Sequence, residues 1–185
     1  MTSRLSINIR ETVRDSGECE FRIRNNRAVI SPEYVRHLIT VRKLIPPTDD
    51  NLNLDAWPWP VKIRTLGGFT IERDGVPLSF TGKVQRQPLA LLKLVIAYGG
   101  RDVSEARLID TLWPETEGDA ARVNLRSSVH RLRKLIGADA LRNEDGRLSL
   151  DPARCWVDAW ALSVTEHLGC TRARIGLLQR LLSRG

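Results

Sequence analysis

Three observations predict an α+β fold. Apolar and polar residues alternate over Val61–Thr65 and again at Phe69 and Ile71, the period of two that marks strands. Three helical segments follow, the last running from Thr116 to Gly137. Glu144-Asp145-Gly146 then lies between two short alternating stretches, as a hairpin turn would. The order sheet, three helices, hairpin occupies residues 61–158. Residues 1–60 form a small N-terminal appendage with a linker, and 159–185 a helical tail.

Composition narrows the partner. At 185 residues and 42% apolar, the chain is long enough for one good core, and a net charge of +7 with a pI near 9.9 favours a polyanion, nucleic acid first. No apolar run approaches the roughly 18 residues of a membrane span, and the start Met-Thr-Ser-Arg is too polar for a secretion signal. A cytoplasmic protein without membrane contact is expected. Cys19, Cys155 and Cys170 are odd in number and widely spaced, against a disulfide framework. His167 and Cys170 lack a second ligand pair, so no metal is expected.

Within residues 1–30, Leu5–Ile9 and Phe21–Arg24 alternate as short strands would. Ser31-Pro32-Glu33 supplies an N-cap, a proline in the first turn and an early acid for a helix of about 32–44. Pro46-Pro47 ends it, and a polar, acidic linker runs over 46–60 to Ala-Trp-Pro-Trp-Pro. Trp57 and Trp59 are expected to pack against protein rather than hold a ligand. After the strands at 61–65 and 69–71, Asp74-Gly75 is a hairpin turn, and Pro77 puts the returning strand at an edge. Pro88 opens an apolar helix that Gly99-Gly100 ends. Ser104 caps a second, Glu105–Trp113, with Ala106, Leu108, Ile109 and Leu112 inward, and Pro114 closes it. Beyond the hairpin, Cys155-Trp156-Val157 is expected as its third strand, with weaker helices over Asp158–Leu168 and Ile175–Leu182.

The segment from Thr116 to Gly137 carries the chemistry. At about 100° per residue, Ala121, Leu125, Ser128, Val129, Leu132 and Ile136 share one face. Arg122, Asn124, Arg126, Ser127, His130, Arg131, Arg133 and Lys134 cover the flanks and the opposite side. Thr116 with Asp119 resembles a capping box, and Gly137 provides the stop. A cationic helix face is ordinarily a solvated surface. Here few acids alternate with the cations, Asn124, Ser127 and Arg131 can address base edges, and Val123 points outward where it could meet a thymine methyl. The helix is therefore expected to enter a groove.

These motifs in this order, KIRTLGGFTIERDGVPL, QRQPLALLKLVIAYGG, SEARLIDTLWPE, NLRSSVHRLRKLIG and DGRLSLDPARCWVDAWAL, resemble the OmpR/PhoB-type winged-helix DNA-binding domain in its variant from the bacterial transcriptional activator domain family. The resemblance covers about half the chain. It implies a winged helix-turn-helix in which Ala120–Ile136 is the recognition helix in the major groove of duplex DNA, and the hairpin at Asp145-Gly146 the wing. It also implies a transcriptional regulator, an activator above all, that is a monomer in solution and pairs head to tail on DNA. The loop between the second and third helices can touch RNA polymerase in that family, so the resemblance makes Glu115 and Glu117 a candidate polymerase contact. One departure stands out: Glu144 and Asp145 at the tip would be repelled by phosphate, leaving Arg142 and Arg147 as the wing's DNA contacts.

Two alternatives rank lower, a protein-interaction adaptor using the tryptophan segment or the acidic loop, and an RNA-binding module. At 5% aromatic residues, the chain offers few bases a stacking platform. With no Gly-rich phosphate loop, ligand cluster or nucleophile–base pairing, an enzyme and a cofactor are not expected.

Overall fold

The computed structural model describes residues 9–13, 19–23, 29–42, 57–80 and 85–161. The linker over 46–56, His167, Cys170, the helix expected at Ile175–Leu182 and the end of that expected at Asp158–Leu168 lie outside the described residues. The fold is α+β and has two units, residues 1–78 with 153–185, and residues 79–152.

The first unit holds two sheets. Strands β1 (Ile9–Val13), β2 (Cys19–Ile23) and β3 (Val29–Ile30) pair antiparallel in that order. Phe21–Ile23 lie in β2 as the alternation predicts; of the strand expected at Leu5–Ile9 only Ile9 is among the described residues, and it belongs to β1. The ladder from Ile9–Ile23 to Val13–Cys19 sets the bounds, and it runs through charged positions that a hydrophobicity pattern treats as breaks. Helix α1 (Pro32–Arg42) lies where it was expected, and residues 43 and 44, at the expected end, lie outside the described residues. Its N-cap is Ser31, whose Oγ accepts the Tyr34 N–H at 3.3 Å.

Strands β4 (Val61–Arg64), β5 (Thr70–Arg73) and β6 (Val76–Pro77) form an antiparallel meander. Val61, Ile63 and Ile71 are buried, as the alternation predicts. Asp74 at φ 53° and Gly75 at φ 83° are both left-handed, the signature of the two-residue turn expected at Asp-Gly. Pro77 is on the edge strand. The fourth strand of this sheet, last in sequence, is Cys155–Val157, hereafter the closing strand, which pairs parallel with β4. This corrects the expectation that it completes the hairpin. All three of its residues are buried, a pattern suited to a strand inside a parallel pair rather than to a hairpin edge.

The second unit holds three helices and a small sheet. Helix α2 (Arg86–Ala97) begins two residues before Pro88, which sits in the first turn where no N–H is needed. Gly99 and Gly100, at φ 90° and 71°, end it with a Schellman motif: the Gly100 N–H reaches the Val95 carbonyl at 2.8 Å and that of Gly99 the Ile96 carbonyl at 3.0 Å. Leu91, Leu92, Val95 and Ile96 are buried. Strand β7 (Val103–Ser104) has two residues and is followed by α3 (Glu105–Leu112).

Two expectations for α3 need correction. The Ser104 hydroxyl makes no cap bond; the Glu105 N–H is instead taken by the Gly146 carbonyl at 2.9 Å, so the hairpin turn caps the helix. Of the four side chains expected inward, Leu108 is fully buried, Ile109 and Leu112 half-buried and Ala106 exposed, because a helix of two turns meets its neighbours along a narrow stripe.

Helix α4 (Gly118–Ile136) follows, then a 3-10 turn at Ala138–Ala140 and the hairpin β8 (Leu141–Glu144) and β9 (Arg147–Leu150). In the small sheet, Val103–Ser104 pairs with β9 and supplies the third strand expected of Cys155–Val157. The core of this unit combines the α2 residues with Leu108, the inner face of α4, and Leu141, Leu148 and Leu150 from the hairpin.

Candidate nucleic-acid interface

The inner face of α4 is as the periodicity requires: Ala121, Leu125, Ser128, Val129, Leu132 and Ile136 are its buried residues. Burial of four large aliphatic chains, each contributing roughly 1.5–3 kcal/mol, fixes the rotation of the helix and with it the direction of every outer residue. The start differs from expectation. Glu117 is the N-cap and makes no side-chain bond, while Thr116 closes a turn by donating its N–H to the Trp113 carbonyl at 3.1 Å. Thr116 is thus committed outside the helix. Gly137, at φ 100°, ends it.

Arg122, Val123, Asn124, Arg126, His130, Arg131 and Lys134 are exposed, and Ser127 and Arg133 half-buried. The only acid in the helix is Asp119, 3.9 Å from Arg122 in an exposed pair of little strength. Among the described residues no ion pair engages Arg126 or Arg131. Arg133 differs from them: its Nε donates to the Leu141 carbonyl at 3.1 Å, which ties the end of α4 to the start of β8.

The hairpin turn, Asp145 at φ 50° and Gly146 at φ 69°, is again of the type that Asp-Gly favours. Both flanking arginines are engaged within the unit. Arg142 Nη2 lies 2.6 Å from Asp151 Oδ2, and Arg147 Nη1 donates to the Asp102 carbonyl at 3.1 Å. The hydrogen bond from Arg142 to Asp151, then the charge attraction between them, raises the Arg142 pKa above its ordinary value. Asn143 Nδ2 donates to Glu105 Oε1 at 2.8 Å, joining the hairpin to the first residue of α3. Glu144 faces Arg147 across the strands.

Asp102, Glu105, Asn143 and Asp151 escape sequence reasoning. Only Asp151 had a signal: the register set by the turn puts Arg142 opposite Ser149, so Asp151 is its diagonal neighbour. Glu115 and Glu117 are exposed between α3 and α4. Trp57 and Trp59 are buried, at 1% and 6% exposure, which removes them as an adaptor surface. Among the described residues, no helix is long and apolar enough to cross a membrane, and no three His, Cys, Asp or Glu side chains gather as metal ligands would.

No protein-family model matches the chain. Over 114 residues, 62% of its length, it is 32% identical to the regulatory protein AfsR of Streptomyces griseus. It is 34% identical over 86 residues, 46% of its length, to the regulatory protein AfsR of Streptomyces coelicolor. The matches span 10% and 8% of those proteins. A solved structure of Mycobacterium tuberculosis EmbR in complex with a low-affinity phosphopeptide aligns with a TM-score of 0.48 and 25% identity, over 68% of this chain and 35% of EmbR. What the chain shares with its curated relatives is a small part of a regulatory protein.

Proposed function

We propose that the chain is a DNA-binding transcriptional regulator whose residues 61–158 act as a winged helix-turn-helix, with α4 in the major groove of duplex DNA and the β8–β9 hairpin as the wing. Residues 1–60 are then the appendage and 159–185 the tail. The observation that carries this reading is the outer surface of α4, where five arginines and lysines stand with one acid over 19 residues on a helix whose rotation is set by a buried face. An α-helix with its side chains is about 10–12 Å across, which fits a major groove about 12 Å wide. The likeness to regulatory proteins supports the same conclusion.

In this reading Arg126, Arg133, Arg142, Arg147 and Arg122 serve phosphates, and Asn124, Ser127, His130, Arg131 and Lys134 face the base edges. The protein acts by binding, in the cytoplasm, as an activator that offers Glu115 and Glu117 to RNA polymerase. It is a monomer off DNA and forms head-to-tail pairs on direct repeats.

Binding of the purified chain to random duplex across a salt series tests the proposal. Log affinity should fall linearly with log salt, by roughly 0.9 per phosphate contact. A flat response would rule duplex DNA out as the partner. Selection from a random duplex pool should then yield one preferred sequence.

A further inference from the structure

Val123 is the one large apolar side chain left exposed among the described residues of the 79–152 unit, at 62%; the others, Tyr34, Val41, Leu66 and Val76, all belong to the first unit. Its position is fixed by the buried stripe. Taking about 100° per residue from Leu125, Val123 falls within roughly 30° of the direction opposite the buried face, on a line with Ser127, His130 and Lys134. That line is the centre of the surface facing away from the core. A β-branched residue there has low helix propensity and buries nothing in the free protein, so both local preferences oppose it. Breaks in local rules of this kind concentrate where function requires the residue.

Resting on the DNA-binding reading, we propose that Val123 is a specificity residue that packs on the 5-methyl group of one thymine. The major groove presents a single apolar group on any standard base pair, the thymine methyl, and it is the only base-edge feature a valine can distinguish. Val123 is the sixth residue of α4, in the N-terminal part that a groove-docked helix brings nearest the base edges. Its neighbours Arg122, Asn124, Arg126 and Ser127 are all polar, and the one other exposed apolar side chain of α4 within a turn, Ala120, is a single methyl about 60° away around the helix. Val123 is therefore the larger apolar surface at the centre of that face and the one placed to pack on the methyl.

The test uses the full chain and the duplex selected above. Each thymine is replaced in turn by deoxyuridine, which removes the methyl and leaves the hydrogen-bonding edge intact. For the wild-type protein, one position should lose about three- to fivefold in affinity, the effect of one methyl taken out of an apolar contact. Val123→Ala should bind the unmodified duplex about that much more weakly and be indifferent to deoxyuridine at the same position. Alanine favours the helix, so circular dichroism should show the variant folded. Wild-type protein insensitive at every thymine, or Val123→Ala retaining the full deoxyuridine loss, would overturn the assignment while leaving DNA binding in place. Absence of any duplex binding by the wild type would overturn both.

Discussion

The Arg142 guanidinium and the Asp151 carboxylate, 2.6 Å apart, form an ion pair at the root of the hairpin in which the acid is nearly buried and the arginine half-exposed. The pair ties β8 to the segment that follows β9. It also holds a carboxylate beside one of the two cations that the wing could turn toward a phosphate.

Asp151→Asn should therefore strengthen binding to random duplex and steepen the log–log salt slope by up to about 0.9, because Arg142 is released to a phosphate. Stability should fall by about 0.5–1 kcal/mol, a small amount since half of Arg142 faces water. A salt series on both proteins checks this. An unchanged slope with Asp151→Asn would show that Arg142 does not reach DNA.

Arg131 and Arg133 are two residues apart, yet the structure separates them. Arg131→Ala should lose about 1–3 kcal/mol on the selected duplex and little on a scrambled one, since its fork can take guanine O6 and N7 together. Its melting temperature should not move. Arg133→Ala removes the bond to the Leu141 carbonyl and should cost about 1 kcal/mol of stability, with similar loss of affinity on both duplexes. Equal losses on both duplexes for Arg131→Ala would reassign it to the backbone.

Asp158 is fully buried and accepts from the Thr65 and Leu66 N–H groups, the Thr65 hydroxyl and the Ala159 N–H, at 2.7–3.0 Å. Asp158→Ala leaves those donors without a partner and should destabilise the first unit by at least about 1–3 kcal/mol. Denaturant unfolding measures it. A change under about 0.5 kcal/mol, the range of surface substitutions, would mean that water replaces the carboxylate.

Changing Glu115 and Glu117 together to Ala should alter stability by less than about 0.5 kcal/mol, as both are exposed and neither caps α4 with its side chain. Duplex affinity should hold or rise slightly as two negative charges leave the neighbourhood of α4. Transcription in a purified system should fall. Full transcription with the doubly changed protein would remove the loop as a polymerase contact.

Short-range rules were sufficient for much of this chain. Six buried residues of α4 follow from a single periodicity, and the turns at Asp74-Gly75 and Asp145-Gly146 from the left-handed conformations that Asp-Gly tolerates. The outward direction of Val123 and Arg131 follows from the same periodicity, since a buried stripe fixes the opposite face as well. What tertiary structure decided are pairings between residues far apart in sequence. Cys155–Val157 joins β4 rather than the hairpin, Val103–Ser104 takes the place expected of it, and a carbonyl at Gly146 caps α3 where Ser104 was expected to. A strand's pattern records which of its faces are buried, but its hydrogen bonds are made by backbone groups that every residue carries, so the partner is selected by the fold as a whole.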